Sequence, residues 1–152
     1  MTTRPLLTFG FSTTAERVKN LKAPSFSDDH EILALVQNPK ELSYVLEIPR
    51  AKLVQLSSIG VAKSRNAAIK HASGEFLIFG DDDIVFKEEG ISEAIKYFQS
   101  HPDCSIILAR AVDQTGSLRK RYASKSTPLK LTNSARAATY EMLIRVDAIK
   151  NV

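Results

Sequence analysis

The strongest constraint on the fold of this chain is a series of short apolar runs that alternate with segments of helical pattern. The runs show no regular exchange of polar and apolar residues, which is typical of strands buried on both faces of a parallel sheet. Turn or helix-capping residues follow each run, so strands and helices should alternate along the chain. We predict five strands, at residues 6–11, 32–36, 53–56, 76–79 and 105–109.

The segments between the runs carry the signals of helix starts and ends. Thr13 or Thr14 can cap one helix, and Asn38 followed by Pro39 can open another. Strands joined by helices favour right-handed βαβ units, so we expect an α/β fold: a mostly parallel sheet with helices on both faces. The predicted helices are residues 13–21, a short one from residue 38, 60–72 and 91–98, and a late strand at 140–146 precedes a helical turn capped by Asp147.

Chain length fits one domain. The 152 residues, with a mass of 16.8 kDa, are enough to bury a single core. We divide them into an α/β core at residues 1–112 and a basic C-terminal segment at residues 113–152 that packs on the same domain. No apolar run approaches the roughly 20 residues of a membrane-spanning helix, and the first residues do not resemble a secretory signal. These features favour a cytoplasmic protein.

Positive charge is concentrated in the last third of the chain. Residues 110–152 hold 9 of the 21 Lys and Arg residues but only 3 of the 17 Asp and Glu residues. Such a cluster attracts phosphates, nucleic acid or an anionic membrane surface, although many charge runs are simply solvated loops. Because no aromatic residues form a base-stacking platform, nucleic acid is not expected. The stretch 119–130 is therefore a candidate for peripheral contact with the inner face of a membrane or with a partner protein.

Three consecutive carboxylates, Asp81, Asp82 and Asp83, follow the fourth predicted strand. Parallel sheets bind ligands beyond the carboxyl ends of their strands, so a site is expected here. Like charges at one strand end repel each other unless a cation compensates them, and magnesium or manganese is the natural partner. Asp81 and Asp83 can face one side while Asp82 faces the other. The residues indicate a metal that also binds substrate phosphates, and a plain polar turn is the alternative.

Arg65 falls on the side of its predicted helix that should face the sheet. Lys63 and Lys70 lie on the opposite, solvent side at about 100° per residue. A guanidinium in an apolar stripe needs an anionic partner. Because the start of this helix points to the same sheet edge as the Asp triad, that partner is either a bound diphosphate or one of the Asp carboxylates.

The order of these motifs resembles the central signature of family 2 glycosyltransferases, which have the nucleotide-binding, Rossmann-like GT-A fold. In that family a Gly-x-x-x-x-Arg-Asn helix leads through Gly-Glu and an apolar strand to an Asp-x-Asp motif. The matching stretches here are residues 60–66 and 72–83, within a likeness that covers residues 5–112. The resemblance implies transfer of a sugar from a nucleotide-diphosphate donor, commonly a UDP-sugar, to a saccharide or lipid-linked acceptor.

The resemblance also implies roles for individual residues. Asp81 would lie near the ribose or the sugar, and Asp81 and Asp83 would bind manganese or magnesium. Arg65 would lie near the donor diphosphate, and Asn38 stands where the family often has an Asp that binds the base. The donor-binding residues implied in this way are Ser12, Thr13, Asn38, Arg65, Asp81 and Asp82.

The acceptor side of the pattern is less complete. Family 2 members usually continue to a second acidic motif that holds the general base, and the only acidic residues beyond residue 110 are Asp113, Glu141 and Asp147. None forms a Glu-Asp pair, so the catalytic base is unknown and we expect a short or truncated member. The alternative is a catalytically silent nucleotide-sugar-binding or partner-subunit domain. A phosphoryl-transfer domain of the same sheet class is disfavoured, because no Gly-rich phosphate loop is present.

Overall fold

The computed structural model describes residues 4–24, 29–38, 51–134 and 137–150, and these residues build a six-stranded sheet. The strands are β1 (Leu7–Thr14), β2 (His30–Gln37), β3 (Ala51–Leu56), β4 (Phe76–Asp81), β5 (Ile106–Leu108) and β6 (Met142–Arg145). Their order across the sheet is β3-β2-β1-β4-β6-β5. The first four strands are parallel to one another, as the alternating pattern predicts.

Helices pack on both faces of this sheet. The helices are α1 (Val61–His71), α2 (Glu88–Ser100), α3 (Leu131–Ser134) and α4 (Val146–Lys150), with 3-10 turns at Val18–Asn20 and Thr139–Glu141. The short α3 has no buried residue and does not pack on the sheet. On one face, Phe9 and Phe76 share a core cluster with Phe98 of α2, whose ring stacks on that of Phe76 at 4.7 Å. On the other face, Leu77 clusters with Ala68 of α1. The predicted α/β fold with helices on both faces is confirmed.

Gly10 allows α1 to lie directly on β1. A Cβ atom at this position would be 2.9 Å from the Cβ of Ala68, which is closer than real side chains approach. This close approach brings the preceding turn of α1, which carries Arg65, against the ends of β1 and β4.

The edge of the sheet next to β4 differs from the prediction of one more parallel strand. β6 pairs antiparallel with β4, and β5 pairs antiparallel with the far side of β6. Leu143 and Ile144 of β6 are buried, whereas β5 pairs over only three residues and is partly exposed. The strand that buries more apolar surface therefore lies beside β4, and the sheet is mixed.

The chain leaves and re-enters this edge at nearly the same point. The backbone N–H of Ala109, just after β5, donates a hydrogen bond of 2.7 Å to the carbonyl oxygen of Glu141, just before β6. We call residues 110–134, which lie between them, the basic loop.

The helix predicted at residues 13–21 is wrong. β1 continues to Thr14 because it pairs with β2 as far as Gln37 and with β4 as far as Asp81. Threonines are β-branched and suit an extended strand, so tertiary pairing prevails over a capping role. Only the 3-10 turn at Val18–Asn20 follows. The short helix predicted from residue 38 falls at residues 39–50, outside the described residues.

The late strand and the last helical turn are confirmed as β6 and α4, but Asp147 lies within the first turn of α4 and does not cap it. The Asp147 carboxylate accepts hydrogen bonds of 3.0 and 3.1 Å from Arg4, which precedes β1. This ion pair lies at the amino ends of the parallel strands, away from the Asp triad. In the described ranges, none of the helices has the length and apolar character needed to cross a bilayer.

Candidate functional site

The carboxyl ends of β1 and β4 lie side by side and carry most of the predicted site residues. The strands pair in parallel, with Ser12 opposite Asp81. Because side chains alternate along a strand, Ser12 and Asp81 face α1, whereas Thr13 and Asp82 face the opposite side of the sheet. The donor-binding residues predicted on β1 and the Asp triad are therefore neighbours.

Arg65 is almost fully buried at this strand end and contacts both strands. It is 5% exposed, and its Nη2 donates a hydrogen bond of 2.6 Å to Oδ1 of Asp81. Its Nη1 donates to the carbonyl oxygens of Gly80 at 2.7 Å and Gly10 at 3.4 Å. Burial lowers the pKa of Arg65 and Asp81 opposes that change, yet a guanidinium remains charged in proteins. The sequence analysis left two anionic partners open for Arg65, a bound diphosphate or an Asp carboxylate. In the structure its partner is the Asp81 carboxylate.

Asp82 is held by the turn that follows β1. It is 7% exposed, and its Oδ2 accepts a hydrogen bond of 2.8 Å from the Thr13 hydroxyl. Its Oδ1 accepts a hydrogen bond from the guanidinium of Arg17, and the two residues form an ion pair. The backbone N–H of Arg17 donates to the carbonyl oxygen of Thr14 at 3.1 Å, which fixes the turn. Protein donors therefore occupy both oxygens of Asp82, and Arg17 is a site residue that the sequence analysis missed.

Asp83 is the exposed member of the triad. No other described residue forms a hydrogen bond or an ion pair with its carboxylate, and Oδ2 of Asp81 is likewise unengaged there. Across the described ranges, no three His, Cys, Asp or Glu side chains are grouped closely enough to hold a metal ion. Magnesium and manganese nevertheless often bind one or two carboxylates and complete their shell with water and phosphate oxygens. The donor set fits a cation shared with a bound diphosphate, rather than one held by protein alone.

The predicted nucleoside-binding residues Ser12 and Asn38 differ in exposure. Ser12 and Ser64 of α1 are buried and share a hydrogen bond of 2.5 Å between their Oγ atoms. Gln37, at the end of β2, accepts a hydrogen bond of 2.6 Å from the backbone N–H of Gly60. Asn38 is exposed and has φ 50°, a left-handed conformation that Asn tolerates well. Ser12 thus anchors α1, whereas Asn38 presents its amide to solvent. The sequence analysis did not predict the contacts of Ser64 and Gln37 at this site.

Glu141 is the buried centre of a second polar cluster, which sequence reasoning treated only as a possible base. Its Oε2 accepts hydrogen bonds from Lys120 at 2.6 Å and from the Ala138 N–H at 3.1 Å, and its Oε1 accepts one from the Tyr122 hydroxyl at 2.7 Å. Burial raises the pKa of Glu141, but these hydrogen bonds outweigh it and the net pKa is lowered. The cluster fastens the basic loop to the sheet edge beside β4.

The other two acidic residues beyond residue 110 are also engaged. The Asp113 carboxylate accepts hydrogen bonds of 2.7 to 3.0 Å within a turn from Thr115 and Ser117, and the Thr115 bond is the main cause of its lowered pKa. A hydrogen bond from Arg4 likewise lowers the pKa of Asp147. Among the described residues beyond residue 110, every carboxylate is therefore bound by protein groups, and the general base stays unassigned.

The basic loop exposes both charge and apolar surface. Arg121, Lys125 and Lys130 are exposed, and none of them has an ion-pair partner in the described part of the chain. Large apolar side chains of the same loop are exposed as well, and Leu131 is 96% exposed. The others are Val112, Leu118 and Leu129.

Comparison with known proteins identifies relatives of this chain. The family model described as Glycosyl transferase family 2 matches residues 25–150. The poly(ribitol-phosphate) beta-N-acetylglucosaminyltransferase TarS of Staphylococcus aureus, in strains Mu50 and MW2, is 29% identical over 82 residues. That match covers 53% of this chain and 14% of TarS.

Solved structures of the same relative share the fold. Residues 1–349 of S. aureus TarS superpose with a TM-score of 0.68 at 19% identity, over 96% of this chain and 48% of that one. The complex with UDP gives a TM-score of 0.60 at 17% identity, over 96% and 48%. The complex with UDP-GlcNAc gives 0.60 at 16% identity, over 96% and 47%. This chain thus spans about half the length of these solved relatives.

Proposed function

Because the chain belongs to glycosyl transferase family 2, we propose that it binds a nucleotide-diphosphate sugar of the UDP type at the carboxyl ends of β1 and β4 and transfers the sugar to an acceptor. The observation that carries this proposal is the Arg65 cluster, in which one buried guanidinium joins the ends of both strands to Asp81. Such a cluster fixes the position of a carboxylate before any ligand binds, which lowers the ordering cost of binding.

Two kinds of observation support our choice of donor: the side chains at the strand ends and the solved structures of a relative. Ser12 and Thr13 lie near the end of β1 beside Asp81, and the exposed amide of Asn38 offers both a donor and an acceptor to a base. The relative TarS has been solved with UDP and with UDP-GlcNAc. We assign the same nucleotide class here, with Asp81 near the ribose or sugar and Arg65 near the diphosphate.

A divalent cation is part of the proposal. Asp83 and the free oxygen of Asp81 would hold manganese or magnesium, together with diphosphate oxygens. The cation would offset the negative charge that develops on the leaving diphosphate. Arg65 orients Asp81 for this purpose.

For the acceptor we propose a phosphate-bearing saccharide, polyol or lipid-linked molecule that contacts the basic loop. Arg121, Lys125 and Lys130 are unpaired cations within the described residues, and exposed apolar side chains accompany them. The relative TarS acts on poly(ribitol-phosphate), which is an anionic polymer. The stretch 119–130 also remains our candidate for peripheral contact with an anionic membrane or with a partner protein.

The engagement of Asp113, Glu141 and Asp147 favours a second candidate function, a donor-binding domain that transfers poorly alone. A general base must accept a proton from the acceptor hydroxyl, and a carboxylate of lowered pKa that is saturated with hydrogen bonds is a weak one. Loss of base assistance removes about 100- to 10,000-fold in rate. Under this second candidate, the 152-residue chain would give slow donor hydrolysis at most.

Titration calorimetry tests donor binding. UDP and UDP-sugars should bind more tightly with manganese than without it, and more tightly than GDP and GDP-sugars. If no nucleotide binds at any manganese concentration, the proposed function is wrong. A transfer assay with mixed phosphorylated and neutral acceptors separates the two candidates, because repeated turnover by this chain would exclude the silent domain.

A further inference from the structure

We propose that residues 128–133 of the basic loop, here called the leucine turn, insert their leucines into the surface of an anionic lipid bilayer. The inference rests on the proposed function for its link to the acceptor, and it chooses the membrane over a partner protein. Three features of the turn support it: its internal hydrogen bonds, its exposed apolar side chains and the charge around them.

Asn133 fixes the shape of the leucine turn from within. Its Oδ1 accepts a hydrogen bond of 2.8 Å from the backbone N–H of Lys130, and its Nδ2 donates one of 3.0 Å to the carbonyl oxygen of Pro128. The carbonyl oxygen of Lys130 accepts from the backbone N–H groups of Asn133 at 3.1 Å and Ser134 at 3.0 Å. These backbone groups are satisfied inside the turn, which lowers the cost of moving it into a less polar environment.

The leucine turn presents two leucines to solvent with a lysine between them. Leu131 is 96% exposed, Leu129 is 41% exposed, and Lys130 is exposed as well. Leucines that a defined turn holds outward gain free energy when another apolar surface covers them. A lysine between them suits a bilayer, because its methylene chain packs beside the leucines while its ammonium group stays among the headgroups.

The charge around the turn determines which apolar surface it fits. The basic loop contains six Lys or Arg residues but one acidic residue, Asp113. Arg121, Lys125 and Lys130 are exposed and have no ion-pair partner within the described ranges. Exposed leucines among unpaired cations are typical of segments that lie in the interface of an anionic bilayer. A partner protein would need an acidic group placed against each cation, whereas lipid headgroups rearrange to meet them.

The position of the basic loop links membrane contact to the proposed site. Because β6 runs antiparallel to β4, its start at Met142 lies toward the carboxyl end of β4, which carries the Asp triad. The loop joins the sheet at this point through Ala109 and Glu141. The same sheet edge thus carries the proposed donor site and the loop that meets the bilayer, which favours an acceptor anchored in lipid over a soluble one.

Fluorescence tests insertion directly, because the chain contains no tryptophan. In the full chain, Leu131→Trp should shift its emission to the blue when vesicles containing phosphatidylserine are added, and brominated lipids should quench it. Tyr97→Trp, at a partly exposed position on α2, is the matched control and should show neither change. Vesicles of phosphatidylcholine alone should shift the emission of Leu131→Trp much less, because the attraction between charges is lost.

Sedimentation with the same vesicles separates the apolar contribution from the charge. Leu131→Asn should weaken binding to phosphatidylserine vesicles about fivefold, and this loss should remain at high salt, because salt does not screen apolar burial. Lys130→Gln should also weaken binding about fivefold at low salt, and much less at high salt. Soluble polyphosphate distinguishes a bilayer from an anionic polymer, since Lys130→Gln should weaken its binding and Leu131→Asn should not.

Each outcome decides the question. If the emission of Leu131→Trp does not shift, or if Leu131→Asn binds vesicles as well as the unchanged chain, the inference is overturned. It is also overturned if Leu131→Asn weakens polyphosphate binding equally, because Leu131 then acts on the loop itself. A lipid-free dimer that Leu131→Asn converts to monomers would overturn it in favour of contact between copies.

Calorimetry with UDP keeps the inference separate from the proposed function, because none of these substitutions lies at the strand ends. If UDP binds but the vesicles do not, the inference alone fails. If the vesicles bind but UDP does not, the proposed function fails and the membrane contact stands.

Discussion

The strand-end site and the exposed part of the basic loop, beyond the anchor of Lys120 on Glu141, differ in how their charges are paired. At the ends of β1 and β4, Arg65 and Arg17 are each paired with an aspartate, and each pair contains one nearly buried side chain. In the basic loop, Arg121 and Lys125 are exposed and have no ion-pair partner in the described ranges.

The difference shows which half of the site is formed in advance. Partly buried ion pairs require fixed geometry, because an unpaired charge in such a position is costly. Exposed cations need no fixed geometry and act at a distance that salt screens. The strand end that we propose as the donor side is therefore organised before a ligand binds, whereas the loop that we propose for the acceptor can adapt to it.

The largest effect is expected where the strand-end pair is broken. Arg65→Ala leaves Asp81 and two strand-end carbonyl groups without their donor, and should lower the free energy of unfolding by about 2–3 kcal/mol. It should also weaken UDP binding, measured by calorimetry on the folded fraction. Urea denaturation measures the stability change, with the exposed Lys63→Ala on the same helix as control, expected within about 0.5 kcal/mol. Equal stability of the two variants would remove the contrast between the buried Arg65 and an exposed cation.

The next effect concerns the anchor of the loop. The lowered pKa of Glu141 means that its ionised form stabilises the fold above its ordinary value of 4.5, and this contribution disappears as the pH falls through the lower folded-state pKa. Glu141→Gln should therefore cost about 2 kcal/mol at pH 7, and the difference from the unchanged chain should shrink below about pH 4.5. Urea denaturation across pH measures both quantities. The exposed Glu93→Gln is the control at pH 7. If the stability difference between Glu141→Gln and the unchanged chain does not depend on pH, the lowered pKa of Glu141 is contradicted.

A smaller effect is expected from the exposed member of the triad. Asp83→Ala should weaken UDP binding in saturating Mn²⁺ about tenfold, because a carboxylate ligand of the shared cation is lost. Without metal, UDP binding should not weaken. Calorimetry with Asp103→Ala, an exposed acid before β5, provides the matched control. Full metal-dependent binding by the Asp83 variant would rule out its role as a ligand.

The smallest effect should come from single charges of the loop. Lys125→Gln should weaken binding to a phosphate-rich polymer or to anionic vesicles by about 1 kcal/mol at low salt, and by less as salt increases. Stability and UDP binding should stay unchanged. Sedimentation with phosphatidylserine vesicles or poly(ribitol-phosphate) measures the effect, with Lys96→Gln on α2 as control. An equal loss for both variants would show that only the net charge matters.

The strands and the placement of Arg65 could be predicted because both depend on local patterns. Unbroken apolar runs identify strands covered on both faces, and helical spacing places Arg65 toward the sheet. The order β4-β6-β5 could not be read in this way, since it depends on which distant strand buries more apolar surface next to β4. Pairing between residues distant in sequence leaves no periodic signal.

The pairing of Asp82 with Arg17 illustrates the same limit within the site. Side-chain alternation correctly placed Asp82 on the side opposite Asp81. Its partner was hidden, because residues 13–21 were predicted as a helix, whereas β1 continues to Thr14 and a tight turn then brings Arg17 back to the strand end. The sequence shows how far apart Thr13 and Arg17 are along the chain. Only the turn after β1 places both side chains beside Asp82.

The hydrogen bond between Ala109 and Glu141 has a consequence for how such chains can diverge. Because the stretch between these residues starts and finishes at one point of the sheet edge, its length can change at little entropic cost, about 0.6 kcal/mol for a doubling. Insertions or exchanges there would not shift β4 or the triad. Under the proposed function, a lineage could thus acquire a new acceptor by exchanging this stretch while the proposed nucleotide-binding strand end is inherited intact.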